Sequence, residues 1–247
     1  MVRLHLPEQQ PEPGGALVWL HGGGYVGGYA GMDDRVCRGF ARELGIAVAA
    51  VDYRLAPRHP FPAGLDDAHA VLRWLADQPY VDRSRVAVGG ASAGGGLAAA
   101  LALAARDRGD IDVAFQLLSY PMLDDRTVTC EVDSSVLRLW DNRDNIYGWR
   151  SYLTVEPGSA EVSGLAAPGR HSDLAGLPPA WIGVGTSDLF HDEDVAYAER
   201  LRAAGVPCQT EVVDGAFHGF DVVCPRAAVS RRYRSAQVEA LRRGLNA

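Results

Sequence analysis

Arg85-Val86-Ala87-Val88-Gly89-Gly90-Ala91-Ser92-Ala93-Gly94 opens as an apolar, strand-like run and breaks into Gly-x-Ser-x-Gly. The residues that follow, Gly95 to Ala105, are rich in Ala and Leu and read as a helix. A strand, a turn of small residues around a serine, and a helix make a nucleophile elbow. The turn is so tight that only small side chains fit beside Ser92, and its hydroxyl is pushed out at the end of the strand. Gly-x-Ser-x-Gly alone is common, but in this setting it marks Ser92 as a candidate acyl-accepting nucleophile. The plainer reading is a close-packed glycine turn between strand and helix.

Outward from the elbow, short apolar runs alternate with longer helical patterns, as in a mostly parallel sheet covered by helices. Strands are expected at Val2–Leu6, Ala16–Leu20, Ile46–Asp52, Arg85–Gly89, Val113–Ser119, Ala180–Gly185 and Gln209–Val213. Helices are expected at Asp33–Leu44, Leu65–Asp77, Ala93–Arg106, Asp144–Tyr152, Asp192–Ala204 and Arg226–Leu245. The fold class is therefore α/β, with about seven strands. Leu123 to Leu177 breaks the alternation, being polar and turn-rich. It reads as an excursion over the top of the sheet within one domain spanning 1–247. The last helix carries five arginines between Arg231 and Arg243, read as a solvated face.

The strand Leu17–Leu20 runs straight into His21-Gly22-Gly23-Gly24. Acyl transfer needs backbone N–H groups aimed at the oxygen that turns negative, and consecutive glycines let the main chain approach it. The donors would be Gly22, Gly23 and, just after the nucleophile, Ala93. His21 is expected to shape this loop by hydrogen bonding. A serine needs an imidazole to take its proton, and behind such an elbow the chain order is Ser, acid, His. His218, in Phe217-His218-Gly219-Phe220 beyond the last strand, sits where the base must be. His5, His21, His59 and His69 precede Ser92, and His171 and His191 lie before or beside the candidate acid. That acid is Asp188, just after the strand Ala180–Gly185. Its rivals are Asp192, Glu193 and Asp194, read as helix-opening and capping residues, and Asp214, expected in the same turn as His218. The cluster from His191 to Asp194 is read as capping, not as a metal site.

Composition excludes other classes. The chain has 247 residues, 47% of them hydrophobic and 22% charged, with a net charge of −7. That argues against nucleic-acid binding. All 24 basic residues are arginine, so lysine chemistry is absent. Cys37, Cys130, Cys208 and Cys224 are scattered and read as buried free thiols. No run is long enough for a membrane span, and the polar, proline-rich start does not read as a signal peptide, so a cytoplasmic protein is expected.

The HGGG loop, Tyr53-Arg54-Leu55-Ala56-Pro57, Gly90 to Gly95, and the settings of Asp188 and His218 together resemble the hormone-sensitive-lipase-like family of bacterial esterases. Asp52 to Ala63, DYRLAPRHPFPA, is similar to that family's D-Y-R-L-A-P-E-H-P-F-P-A. The resemblance implies an α/β-hydrolase fold and hydrolysis of carboxylic esters with short or medium acyl chains, with no metal or organic cofactor. Only 20 residues precede the HGGG loop, too few for the helices that build part of the family's lid. A reduced or missing N-terminal lid is expected, with residues 123–177 as a partial cover, or else a late start of the chain. The expected site is broad, with Tyr25, Val26, Trp140, Leu189 and Phe217 as its walls. The expected partner is a small ester, and the last strand offers an edge for pairing in a homodimer. Two alternatives stay open: an amidase or deacetylase acting on one metabolite with the same triad, and a non-catalytic ligand-binding protein.

Overall fold

The computed structural model describes residues 1–8, 13–129 and 137–247. Among them, seven strands make one sheet: β1 Val2–His5, β2 Gly14–Leu20, β3 Ala47–Val51, β4 Val81–Ala91, β5 Phe115–Ser119, β6 Ala180–Ser187 and β7 Cys208–Phe217. The order is β1-β3-β2-β4-β5-β6-β7. All neighbours are parallel except β1, which runs antiparallel to β3 at one edge. The helices are α1 Asp34–Leu44, α2 Ala63–Ala76, α3 Ala93–Arg108, α4 Asn142–Tyr152, α5 His191–Ala203, α6 Phe220–Val223 and α7 Ala228–Leu245.

Strands covered on both faces read as unbroken apolar runs, and β2 and β3 are buried along their whole length. The pleat divides their side chains between two cores. Val18, Leu20, Ala49, Val51 and Val88 pack with α2 and α3, while Leu17, Trp19, Val48, Ala50 and Ala87 pack with α1 and α7. Because α3 is buried from Ala93 to Ala105, the elbow at its start rests on the most enclosed helix of the molecule.

Several bounds differ from those read in the sequence. β4 begins at Val81, and β7 continues to Phe217, where it pairs with Ser187 after a register shift. His218 therefore follows β7 directly, and Asp214 lies within that strand, not in a turn with His218. Arg226 and Ala227 precede α7, and Phe220–Val223 is a separate turn of helix. α4 starts at Asn142 behind a capping box. The Asp141 carboxylate accepts from the Arg143 and Asp144 N–H groups, and Asp144 returns the bond. Arg234 departs from the solvated face expected of α7. It turns inward, with its guanidinium 3.9 Å from the centre of the Phe40 ring and one nitrogen donating to the Val36 carbonyl. Cys37 is buried, but Cys208 is half-buried and Cys224 exposed; all three are free thiols. Cys130 lies outside the described residues, as does part of the 123–177 excursion.

Candidate active site

Ser92 takes φ 57° and ψ −125°, a region costly for any residue with a side chain. Two contacts explain why glycines flank it. A side chain on Gly90 would strike the Gly94 and Leu20 carbonyls, and one on Gly94 would strike those of Leu20 and His21. The chain thus crosses itself at the elbow, with the backbones of β2 and α3 in contact. Ser92 is pinned by its N–H to the Ser119 carbonyl at 2.9 Å. Its own carbonyl accepts from Gly96 and Met122, each at 3.0 Å.

The three side chains singled out in the sequence meet here. His218 Nε2 lies 2.9 Å from Ser92 Oγ, and His218 Nδ1 lies 2.9 Å from Asp188 Oδ2. The Asp188 side chain has no exposed surface, and its other oxygen accepts the Phe190 N–H at 3.0 Å. Because a carboxylate only accepts, Nδ1 carries the proton and Nε2 presents a lone pair to the serine. An imidazole so held can take a hydroxyl proton. The Phe190 and Tyr120 rings meet it edge-on, at 5.2 and 4.8 Å.

Gly22 lies against the elbow, with its missing side-chain position 3.4 Å from Ser92 Cβ. Among the described residues, no acceptor takes the N–H of Gly22, Gly23 or Ala93. His21 shapes this loop as expected. Its ring stacks on Tyr53 at 4.2 Å, Nδ1 lies 2.7 Å from the Gly22 carbonyl, and the Tyr53 hydroxyl donates to the His21 carbonyl at 2.7 Å. Burial lowers the His21 pKa, which suits a neutral ring donating from Nδ1. Tyr53 belongs to the DYRLAP segment, so that motif acts as a buttress for the glycine loop.

Two of the expected pocket walls, Tyr25 and Leu189, are buried. Tyr25 stacks on Tyr152 at 3.9 Å and donates to the Met122 carbonyl. Leu189 belongs to one core, and Phe217 packs on the other. Val26 and Trp140 stay half-buried. The Trp140 ring covers Gly24, and the exposed Leu139 reaches over Gly219, beside His218. Leu139 and Trp140 therefore span from the glycine loop to the histidine loop. Leu139 and Tyr120 had no signal in the sequence reading, and Tyr53 entered it only as part of the DYRLAP motif. The Tyr120 hydroxyl donates to Asp221 at 2.8 Å, tying the histidine loop to the end of β5.

Asp192, Glu193 and Asp194 open the first turn of α5 as expected, but no side chain bonds its N-cap. Asp192 points into solvent. Asp194 is fully buried, neither oxygen has a partner among the described residues, and burial pushes its carboxyl well above the usual range. Glu193 turns inward. Its Oε1 accepts from the Leu123 N–H at 2.7 Å and the Asp124 N–H at 3.2 Å, and its Oε2 meets the Thr127 hydroxyl. Burial raises its pKa from 4.5 to about 8, against the pull of these bonds. Among the described residues, no group of three His, Cys, Asp or Glu side chains could hold a metal.

Glu193 carries a prediction for stability. Between pH 4.5 and 8 the folded chain keeps a proton that the unfolded chain has released, so stability falls as pH rises across that window. Glutamine mimics the neutral acid, accepting at Oε1 and donating to Thr127. Glu193→Gln should melt with the parent at pH 4.5 and roughly 10 °C or more above it at pH 8.5. Thermal denaturation at the two pH values is the measurement, and an equal difference at both would refute it. The buried Asp33, raised to about 6, acts in the same direction in both proteins.

A family model described as the alpha/beta hydrolase fold matches residues 17–222. Carboxylesterase NlhH of Mycobacterium tuberculosis is 37% identical over 259 residues, covering 100% of this chain and 79% of its own. Ethyl acetate hydrolase of Pseudomonas putida is 37% identical over 231 residues, with 89% and 70% covered. Among solved structures, Bacterial Heroin Esterase superposes with a TM-score of 0.93 at 41% identity, over 100% of this chain and 80% of that one.

Proposed function

Since the chain belongs to the α/β-hydrolase family, we propose that it is a serine carboxylesterase cleaving esters of short to medium acyl chains through an acyl-enzyme on Ser92. The observation that carries this reading is the unbroken chain Ser92 Oγ, His218 and buried Asp188, both links 2.9 Å long. His218 Nε2 takes the serine proton as Oγ attacks the ester carbonyl carbon. The carbonyl oxygen, now negative, accepts from the free N–H groups of Gly22, Gly23 and Ala93. The tetrahedral centre collapses, the ester C–O bond breaks, and His218 hands its proton to the departing alcohol. Water then repeats the sequence on the acyl-enzyme and releases the acid. Asp188 holds the ring and balances the charge on His218 while it carries the extra proton.

Supports for the substrate class are the name of the Pseudomonas relative, ethyl acetate hydrolase, and the motif resemblance. Residues 123–177 are proposed as a partial lid, with Leu139 and Trp140 as the rim of a broad mouth that admits bulky alcohol groups. Labelling by a fluorophosphonate, followed by a series of nitrophenyl esters of rising acyl length beside an anilide, tests these points together. Turnover should be greatest on the short esters and negligible on the anilide. A preferred anilide would shift the reading to an amidase, and no labelling would end it. Rejection of esters with bulky alcohols would remove the broad mouth.

Tyr120 contributes by position. Tyr120→Phe frees Asp221 and loosens the histidine loop, so kcat should fall about tenfold with KM unchanged, the loss of one part-buried hydrogen bond to a carboxyl group. Steady-state kinetics measures it, and a change confined to KM would contradict the assignment.

No helix among the described residues is long and apolar enough to cross a membrane. Residence in a reducing cytoplasm is part of the proposal, supported by the free thiols of Cys37, Cys208 and Cys224. So is pairing of two copies along β7, which among the described residues has a neighbour on only one side and which light scattering would test.

A further inference from the structure

A cavity of about 500 Å³ opens between α5 and the residues Asp124, Arg126, Gly169 and Arg170, and no triad or glycine-loop residue lines it. Three guanidinium groups converge on it, from Arg126, Arg170 and Arg200, together with Asp124, Glu193 and Tyr197. The charges do not cancel. Arg126 is paired with Asp124, and Arg170 with Asp125, which is buried outside the cavity. Arg200 has no carboxylate partner among the described residues, and its two terminal nitrogens donate to the Gly169 and His171 carbonyls. Glu193 commits both oxygens to the Leu123 and Asp124 N–H groups and the Thr127 hydroxyl, and burial raises its pKa to about 8. Each arginine also keeps an N–H without an acceptor among the described residues: Arg126 at Nη1, Arg170 at Nε and Arg200 at Nε. Uncommitted guanidinium donors in a half-enclosed, net-positive space suit an oxyanion, whose oxygens accept several charge-assisted bonds. The volume falls within the range of small-molecule sites, about 300–1,000 Å³, leaving room for an organic group behind the anion.

We propose that this cavity is a second binding site, separate from the catalytic centre, for a small anion bearing a carboxylate or phosphate group held by Arg126, Arg170 and Arg200. The site adjoins the elbow through the backbone. Glu193 accepts the Leu123 and Asp124 N–H groups, and the neighbouring Met122 N–H donates to the Ser92 carbonyl.

Calorimetric titration of the full chain at pH 7 with sodium phosphate, and separately with sodium acetate, at ionic strength matched with sodium chloride, tests it. A saturable isotherm is expected for at least one oxyanion and none for chloride. The tighter arm distinguishes a tetrahedral phosphate from a planar carboxylate. Arg126→Gln should raise that Kd about tenfold, as should Arg200→Lys, which keeps the charge but loses the fork. Ester turnover should stay near the parent's in both variants. Arg126 is exposed, so its variant decides the matter even if the Arg200 variant does not fold. Heats indistinguishable from chloride, or an affinity unchanged by Arg126→Gln, would overturn the proposal.

Discussion

Ser92→Ala should lower ester turnover by about 10⁵- to 10⁶-fold, and Ser92→Gly should do the same while melting higher than the alanine variant. Both lose the hydroxyl and its bond to His218, so that difference cancels between them. What remains is the backbone. At φ 57° and ψ −125° a residue with a Cβ carries strain of about 1–3 kcal/mol, whereas glycine enters this region freely and gives back part of the gain as unfolded-state entropy. A net gain of about 1 kcal/mol corresponds to roughly 2–4 °C in a chain of this size. Nitrophenyl ester kinetics and thermal melts on the two purified variants are the measurements. Residual turnover above about one part in a thousand in Ser92→Ala would point to another nucleophile. A glycine variant that melts below the alanine variant would mean the elbow is not strained.

How far the sequence discloses this site depends on whether its signals are local. The elbow, the glycine loop and the order Ser, acid, His are each written in a few consecutive residues, because a turn, a close backbone approach and a strand end each demand particular local chemistry. The sheet was legible for the same reason, since strands covered on both faces are mostly apolar. The antiparallel pairing of β1 had no local signature. Tyr25 and Leu189 looked like pocket walls because they neighbour catalytic segments, but a side chain beside an active-site loop is as easily turned into the core as out of it. Glu193 and Asp194 sit where acids favour a helix dipole, and only the approach of Leu123, Asp124 and Thr127 shows what Glu193 binds. Arg234 is similar: in a run of arginines its inward turn depends on Phe40 and Val36, about 200 residues earlier. The Asp141–Asp144 capping box is a local signal, spaced as a helix start requires.

Asp188→Asn isolates the role of the carboxylate from its shape. Asparagine fills the same volume, yet its two ends differ, and the Phe190 N–H decides which way they face. That N–H donates to Oδ1 at 3.0 Å and needs an acceptor, so the amide oxygen turns to it and the NH₂ turns to His218. Facing a donor, Nδ1 must become the acceptor, which moves the ring proton to Nε2, opposite Ser92 Oγ. A protonated Nε2 cannot take the serine proton. With the geometry intact and the tautomer wrong, kcat/KM should fall about 10⁴-fold while the melting temperature stays close to the parent's. Nitrogen chemical shifts of the His218 ring would report the proton's transfer from Nδ1 to Nε2. The rival acids cannot make up the loss: Asp192 is in solvent, Asp194 is buried without a partner, and Asp214 lies on β7 opposite Thr186. Turnover in Asp188→Asn within tenfold of the parent would therefore show that Asp188 is not the group that orients the base.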